Sequence, residues 1–456
     1  MIDPSLREKE LAQACDQLVE RALALGADEA EAFASGGETT QVGFEESDLK
    51  LVQVDEFGSA GLRVIKGGRQ GFATTNQLNP SGLAQASQDA LDLAAISPPD
   101  EHNGLPETRP ASPRLELIGQ DPLRLSLEET VEAARGMVEQ VGAIDPRLSL
   151  DKADVSLTRH SQAITNSKGV SLAESDAQLS TSVFGMAIDG DDVGGFDYWG
   201  ESTRRQSELN ARIQTTVDRF AQSALGNLGA GSAETYTGPV LFSPSALLAV
   251  FIGPLLSAAS AIAVQRGRSA LAGRMGEQVA NAALSITDDP HDLNLAGAAS
   301  FDREGQPTVP FELLGGGVLR GLFYNGYAAR VDGRPSSGHA SGGPRSVPGL
   351  GPHAVRIAGG TGGSEAEMLA ALGRGLLVQR FSGSVDPASG DFSGVAKSAR
   401  WVEDGQVRRS VKETLIAGNA FDLLAGDLLL GTESENLMGS TFAPWALVDG
   451  LAVTAG

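Results

Sequence analysis

From residue 235 to residue 265 the chain runs without a charge: TYTGPVLFSPSALLAVFIGPLLSAASAIAVQ. A run of this kind must be buried, in a bilayer or in a protein core. It is long enough to span a bilayer. However, Ser243, Pro244, Ser245, Gly253, Pro254, Ser257 and Ser260 punctuate it, and no basic cluster abuts both ends. These features predict a buried helix over 244–265 in a soluble domain. It should bend or break at Gly253 and Pro254, because proline removes a backbone donor and crowds the preceding turn.

The length of 456 residues allows two or three domains with substantial cores. Glycine is abundant at 57 residues and aromatics make up only 5%, which favours turns and strands over long bundles. The formal net charge of −23 repels nucleic-acid backbones and anionic membranes, so neither nucleic acid nor membrane is an expected partner. Cys15 is the single cysteine, so no intramolecular disulfide can form and a reducing, cytoplasmic setting is expected. It falls in a helical pattern with Leu11, Leu18 and Val19, as a small core residue would. The N-terminal MIDPSLREKE lacks the basic and apolar regions of a signal peptide.

Residues 5–26 read as an amphipathic helix ended by Gly26. The short alternating stretches EAEAFAS, TTQVGFEE, LKLVQVDE, SAGLRVI and QGFATT follow, with turns expected at Gly36 and Gly37 and at Gly67 and Gly68. A helix is predicted over about 80–95, then an exposed Pro-rich linker. Ser126 and Glu129 form a capping box for the next helix. Strand-like pieces return at 148–157, 160–166, 169–174 and 177–188, and a helix is expected over about 205–225. The expected fold class is α+β. Two related helix–antiparallel-sheet units, 1–98 and 118–232, flank a linker at 99–117, and a strand-rich C-terminal domain, 233–456, holds the buried apolar helix. In that last part, DREG (302–305) and EDGQ (403–406) read as hairpin tips, and residues 332–353 form a long Gly/Pro/Ser loop.

The local chemistry is sparse. The histidines are His102, His160, His291, His339 and His353, and no two are spaced to share one helix face as zinc ligands. There is no G-x-S-x-G elbow. GHASG places His339 near Ser341, but proximity alone does not make a nucleophile–base pair. In GGTGGSE (359–365), Ser364 and Glu367 read as a capping box rather than an anion site. Asp189, Asp191, Asp192 and Asp197 read as solvated turn acids. Taken residue by residue, the chain is an acidic α+β protein without a visible catalytic set.

Longer strings carry a resemblance. They are ALGADEAEAF, SAGLRVIKGGRQGFATTNQL, TNSKGVSLAES, FDREGQPTVPFELLGGGVLRGLFYNGYAARVDGRPSSGHASGG, the 365–406 segment, IAGNAFDLL and GSTFAPWALVDGLAVTAG. In order and spacing these resemble the TldD/PmbA family (peptidase U62) over nearly the whole length. In that family the TldD type carries HExxxH on a helix and a distal cysteine, which bind zinc. The PmbA type, also called TldE, lacks them. Laid on that pattern, the zinc-motif window here falls on Ile252, Gly253, Leu256 and Ser257, none of which ligates zinc or activates water. The stretch NLMGSTFAPW has no thiol. The resemblance therefore implies a PmbA-type subunit with no catalytic or metal residues of its own. Zinc, the only cofactor expected, would sit in a TldD-like partner.

The implied function is the non-catalytic half of a cytosolic metallopeptidase that degrades unfolded polypeptides or trims peptide precursors. Members of the family have also been linked to modulation of DNA gyrase through an antitoxin. The loop bearing Ser337, Gly338, His339 and Ser341 is expected to line a substrate chamber, with His339 structural. Partners would be a TldD-like subunit in a heterodimer, or a second copy in a homodimer, and unfolded or extended peptides held by strand addition. Edges in the C-terminal strand region would drive dimerisation. The alternatives are a homodimeric peptide-binding protein without hydrolytic activity, and a stand-alone hydrolase centred on His339 and Ser341.

Overall fold

The computed structural model describes residues 4–106, 114–119 and 121–456. The expected α+β architecture is present. The N-terminal part contains α1 (Pro4–Ala24), β1 (Glu29–Glu45), β2 (Asp48–Lys66), β3 (Arg69–Thr75) and α2 (Pro80–Ile96). The pattern then repeats as α3 (Leu127–Ile144), β4 (Leu148–Asn166), β5 (Ser171–Asp189), β6 (Asp192–Val193), β7 (Asp197–Thr203) and α4 (Leu209–Leu225). Their strands form one antiparallel sheet in the order β3-β2-β1-β4-β5-β6, with β7 also on β5. The two units thus meet edge to edge, β1 beside β4.

Four short expected strands on each side of that seam are in fact pairs of long ones. Gly36 and Gly37 do not turn the chain. They lie inside β1, and the reversal comes at Glu46 and Ser47, both with positive φ. Glycine is needed at position 37 because β4 approaches closely there. A Cβ on Gly37 would lie 2.1 Å from the Arg159 carbonyl oxygen. Strand pairing and turn formation draw on the same residue type, so local composition cannot separate them.

All four helices lie on one face of the sheet. Along β1, Ala30, Ala32, Ala34, Val42 and Phe44 point to that face. The first three pack with Leu11, Cys15 and Leu18 of α1 and Leu83 and Ala90 of α2, and the last two with Met137 of α3 and Phe220 of α4. Cys15 is fully buried and burial pushes its thiol pKa up, as a core thiol's should be. Ser126 and Glu129 form the expected capping box. The opposite face, with Glu31 and Phe33, receives the C-terminal domain.

That domain is built on a second, larger sheet. β8 (Tyr236–Phe242) runs parallel to Gly375–Val378 and antiparallel to Thr441–Thr454. The apolar run then forms α5 (Pro244–Leu247), a π turn (Leu248–Ile252) and α6 (Gly253–Ala258). The Gly253 amide donates to Leu248 O, five residues back. This wide turn sits immediately before Pro254, where the regular ladder loses a donor. The helix does not continue to 265. It breaks at Ser260, which pairs with Phe323, and resumes as α7 (Ala261–Gln265). Val250, Phe251, Ile252 and Leu255 bury fully against Phe242, Trp401 and Phe392. Among the described residues no helix is long and apolar enough to cross a membrane.

EDGQ and DREG are both hairpin tips, the second closed by an antiparallel bridge between Phe301 and Pro307, but the DREG tip is buried in the interior, with Asp302, Arg303 and Glu304 at most 4% exposed. One further expectation is corrected. Part of the Pro-rich linker is not exposed: Gly104, Leu105 and Pro106 are buried. Arg330 fixes it by donating to the His102 and Gly104 carbonyls. Residues 107–113 of that segment lie outside the described residues. The close approach at position 37 predicts that Gly37→Ala destabilises the chain by about 1–3 kcal/mol, read as a lower urea midpoint with an unchanged m-value.

Candidate functional site

The DREG turn is where the two halves of the molecule meet. Asp302 organises it. Its Oδ1 accepts the Glu304 and Gln306 amides, each at 2.9 Å, and its Oδ2 accepts the Ala340 amide at 3.0 Å. One carboxylate therefore fixes both the turn and the long loop. Burial and the nearby Glu304 carboxylate push the Asp302 pKa up, against these three donors.

The turn projects Arg303 and Glu304 against β1 and β2. Glu31 and Arg63 are directly opposite each other in the β1–β2 register. Arg63 Nη2 lies 2.9 Å from both Glu31 Oε2 and Glu304 Oε1. Arg303 Nη1 donates to Glu31 Oε1 at 3.2 Å, and its guanidinium lies 4.2 Å from the centre of the Phe33 ring. Glu304 Oε2 accepts the Gly326 amide at 2.6 Å. Two carboxylates and two guanidinium groups thus close a neutral, buried cluster. Burial opposes the Arg63 cation, but Glu31 and Glu304 raise its pKa overall.

A ring layer stands behind this cluster. His339 is 1% exposed, between Phe311 and Phe323 at centroid distances of 4.8 and 4.6 Å, with His353 at 5.6 Å. His339 Nδ1 lies 2.8 Å from Ser337 Oγ. Its Nε2 lies 3.1 Å from Asp288 Oδ2, off the line of a good hydrogen bond. Asp288 ends the strand Ile286–Asp288 and also accepts the His353 amide at 2.9 Å. Burial would raise the Asp288 pKa, but His339 and His353 hold it below its ordinary value. Ser337, His339 and Asp288 superficially form a hydrolase triad. However, the Ser337 hydroxyl is engaged by the Tyr324 amide at 2.8 Å, and the imidazole is sealed between rings. Ser341 takes no part in it and pairs in a short ladder with Gly349.

Two more ion pairs stand at the seam between the halves, one bridging it directly and one through backbone carbonyls. Arg204 binds Asp176 at 2.8 Å and donates to the Leu295 and Ala296 carbonyls. Arg380 binds Asp197 at 3.0 Å, and Ser398 Oγ donates to the same carboxylate at 2.8 Å. Asp197 is therefore a buried anchor and not a solvated turn acid.

The positions singled out in the sequence do not converge on one point. Gly338 and His339 are buried, held partly by the left-handed φ of Gly338. A cavity of about 520 Å³ adjoins the same loop one step earlier, at Gly333, Arg334, Pro335 and Ser336, with Lys168 and Arg330. In the helical window Ile252 is buried in the core, while Gly253, Leu256 and Ser257 lie on the helix's open side. Phe323 links the two regions, since it pairs with Ser260 and packs on His339. Sequence reading missed Glu31, Arg63, Asp288 and Glu304. The available signal was a charge at a core-facing position of an otherwise apolar strand, as in EAEAF and AGLRVI.

The open side of the window offers one hydroxyl, that of Ser257, and no imidazole, carboxylate or thiolate. This donor set does not fit zinc. Among the described residues no group of three His, Cys, Asp or Glu side chains is placed to hold a metal ion.

Residues 30–94 match the model of the PmbA/TldA metallopeptidase domain 1, and residues 235–455 match that of the PmbA/TldA metallopeptidase C-terminal domain. Together these span more than half of the chain. The chain belongs to the TldD/PmbA family. It is 28% identical to the metalloprotease PmbA of Escherichia coli over 393 residues, covering 85% of this chain and 84% of that one. It is 24% identical to a metalloprotease TldD homolog of Haemophilus influenzae, covering 83% and 80%. The fold matches TldE from Thermococcus kodakarensis with a TM-score of 0.87 at 23% identity, covering 97% of this chain and all of that one, 100%. A Thermotoga maritima protein described as a candidate modulator of a DNA gyrase matches with a TM-score of 0.85 at 26% identity, covering 97% and 99%.

Two predictions follow from the junction of this TldD/PmbA chain. Arg63→Met leaves Glu31 and Glu304 short of a partner in the interior, and should cost about 3–5 kcal/mol. The expected readout is a lower denaturation midpoint together with faster proteolysis between the N-terminal sheet and the C-terminal domain. The second concerns pH. Burial holds the His353 pKa below its ordinary 6.5, against the pull of Asp288. The unfolded chain therefore binds this proton more readily, and the stability gained is complete above 6.5 and lost as pH falls through the folded value. Burial acts in the same direction at His160. Unfolding free energy should fall between about pH 7 and pH 5, and His353→Gln should make that fall shallower without abolishing it.

Proposed function

We propose that this chain is the zinc-less subunit of a two-component metallopeptidase, in which a TldD-like partner supplies the metal and the water-activating base. The observation that carries this reading is the character of the helix over 244–258. Laid on the zinc-bearing pattern of the family, its window would fall on Ile252, Gly253, Leu256 and Ser257, none of which carries a zinc-ligating side chain. The similarity to both PmbA- and TldD-named proteins across most of their length supports a subunit of the same build.

In this role the chain's own residues bind and position. The cavity beside Gly333–Ser336 and the loop that continues through Ser337, Gly338, His339 and Ser341 would form part of the wall of a shared chamber. His339 would hold that wall in place through Ser337 and Asp288, since its ring is buried and its neighbours are aromatic. The substrates proposed are unfolded or extended peptides, and the setting proposed is cytoplasmic.

The test is to measure zinc content and casein hydrolysis for the chain alone and for the chain co-purified with a TldD-like partner. The expected outcome is no stoichiometric zinc and no hydrolysis alone, and both in the complex. One zinc per chain that survives mild chelation would overturn the assignment. Retained peptide binding with no hydrolysis in any combination would favour a peptide-binding protein instead. His339→Ala in the active complex should lower stability or substrate affinity modestly. A loss of about a hundred-fold or more in turnover, with assembly and zinc intact, would instead indicate acid–base catalysis by this residue.

A further inference from the structure

The cavity of about 520 Å³ at Gly333 and Arg334 has an unusual lining for this chain. The protein carries a net charge of −23, yet the charged residues on this wall are Lys168, Arg330 and Arg334, with no acid among the described residues that line it. Its volume is that of an ordinary ligand pocket.

Local structure delivers the cations. α8 (Gly326–Val331) starts at Asn325, whose side chain accepts the Ala328 amide. The helix is closed by Gly333, which has a left-handed φ. The Gly333 amide donates to Arg330 O at 3.2 Å and the Arg334 amide to Ala329 O at 2.9 Å. This double closure fixes Arg330 and Arg334 at one turn. Lys168 comes from the turn between β4 and β5, where Glu29 holds its Nζ at 2.9 Å and Leu105 O accepts from it at 3.1 Å.

Two donors on this wall are unsatisfied. Gln306 is 1% exposed, and its Nε2 has no hydrogen-bond partner. Arg330 uses Nε and Nη2 on the His102 and Gly104 carbonyls, while its buried Nη1 has none. The carboxylates whose field reaches Arg330 are held by other groups: Glu29 by Lys168, Glu304 by Arg63 and the Gly326 amide, and Asp100 by the Tyr327 hydroxyl. Burial therefore pulls the Arg330 pKa below its ordinary value, the opposite of Arg63. Arg334 lies 5.0 Å from the centre of the Tyr324 ring and, like Arg330, forms no ion pair among the described residues. Water satisfies a donor but does not neutralise a guanidinium. An anionic oxygen does both.

We propose that this cavity binds a carboxylate of an extended peptide, with Arg330 Nη1 and Gln306 Nε2 as its donors and Lys168 and Arg334 as the surrounding positive charge. The inference rests on the reading of this chain as a peptide-binding subunit, and adds which part of the peptide it recognises. The carboxylate belongs to the C-terminus or to an acidic side chain.

The test is calorimetric titration of the full chain at low salt. The probes are a neutral N-acetylated pentapeptide as the free acid, the same peptide as the C-terminal amide, that amide with one glutamate introduced, and N-acetylalanine. The free acid should bind about ten-fold or more tightly than the amide, as expected for a charge-assisted hydrogen bond. Arg330→Gln should remove the difference. Because Arg330 also holds the linker carbonyls, Arg334→Gln at an exposed position is the second variant. It should keep the wild-type melting temperature and weaken the free acid by about three-fold, leaving the amide unchanged. Recovery of affinity by the glutamate-bearing amide assigns the site to acidic side chains, and no recovery assigns it to the C-terminus. If N-acetylalanine binds and loses affinity in Arg330→Gln while no peptide binds, the carboxylate site stands and the peptide reading falls. If the acid and the amide bind equally, or both variants keep their difference, the inference is overturned and the peptide reading stands. Displacement of the free acid by an equal concentration of chloride would mark an adventitious ion only and overturn it as well, as would no binding of any probe.

Discussion

The molecule depends on one buried arrangement of charge, in which Arg63 is shared between Glu31 and Glu304 while Arg303 returns to Glu31. Each of these side chains is almost wholly removed from water, so none can be ionised there alone. Together they cancel. Their value lies less in net stability than in exclusivity, since only one docking of the C-terminal domain on the sheet satisfies all four. The Arg204–Asp176 and Arg380–Asp197 pairs repeat the device along the seam. An apolar seam could slide, whereas three separated sites of charged, directional donors fix position and rotation.

That docking sets what the long loop can do. Asp302 joins the DREG turn to Ala340, and Glu304 joins it to Gly326, so the loop is fastened from the same turn that fastens the two halves. His339 then fills the space between Phe311 and Phe323. Its burial explains why a histidine in a glycine- and serine-rich loop need not be a catalyst. The part of the loop left to face a cavity is the stretch just before it.

The sheet presents a different economy at each margin. Where β5 runs beyond β7, the C-terminal domain closes it. Where β2 runs beyond β3, Arg7 of α1 reaches the Phe57 carbonyl, while the side chains of residues 48–56 stay exposed apart from half-buried Leu51. The helical layer shows the same pattern, covering β1 through Val42 and Phe44 but leaving Val52 and Val54 beside them in the open. An antiparallel sheet with one face under helices and the other under a second domain is otherwise well enclosed.

Much of this was legible in the sequence, because it follows from local rules. Apolar spacing located α1, α2 and α4, the Ser126–Glu129 and Ser364–Glu367 boxes set helix starts, and a charge-free run can only be a core. What the tertiary structure decided were relations between distant residues. Gly37 reads as a turn until Arg159 lies against it. DREG reads as a hairpin tip, and whether that tip is exposed or buried is decided by Glu31 and Arg63, far away in the chain. Asp197 reads as a solvated acid until Arg380 reaches it. In each case the local signal is the same for two outcomes. Only the partner brought close by the fold, through sterics at Gly37 and desolvated charge at the other two, selects between them.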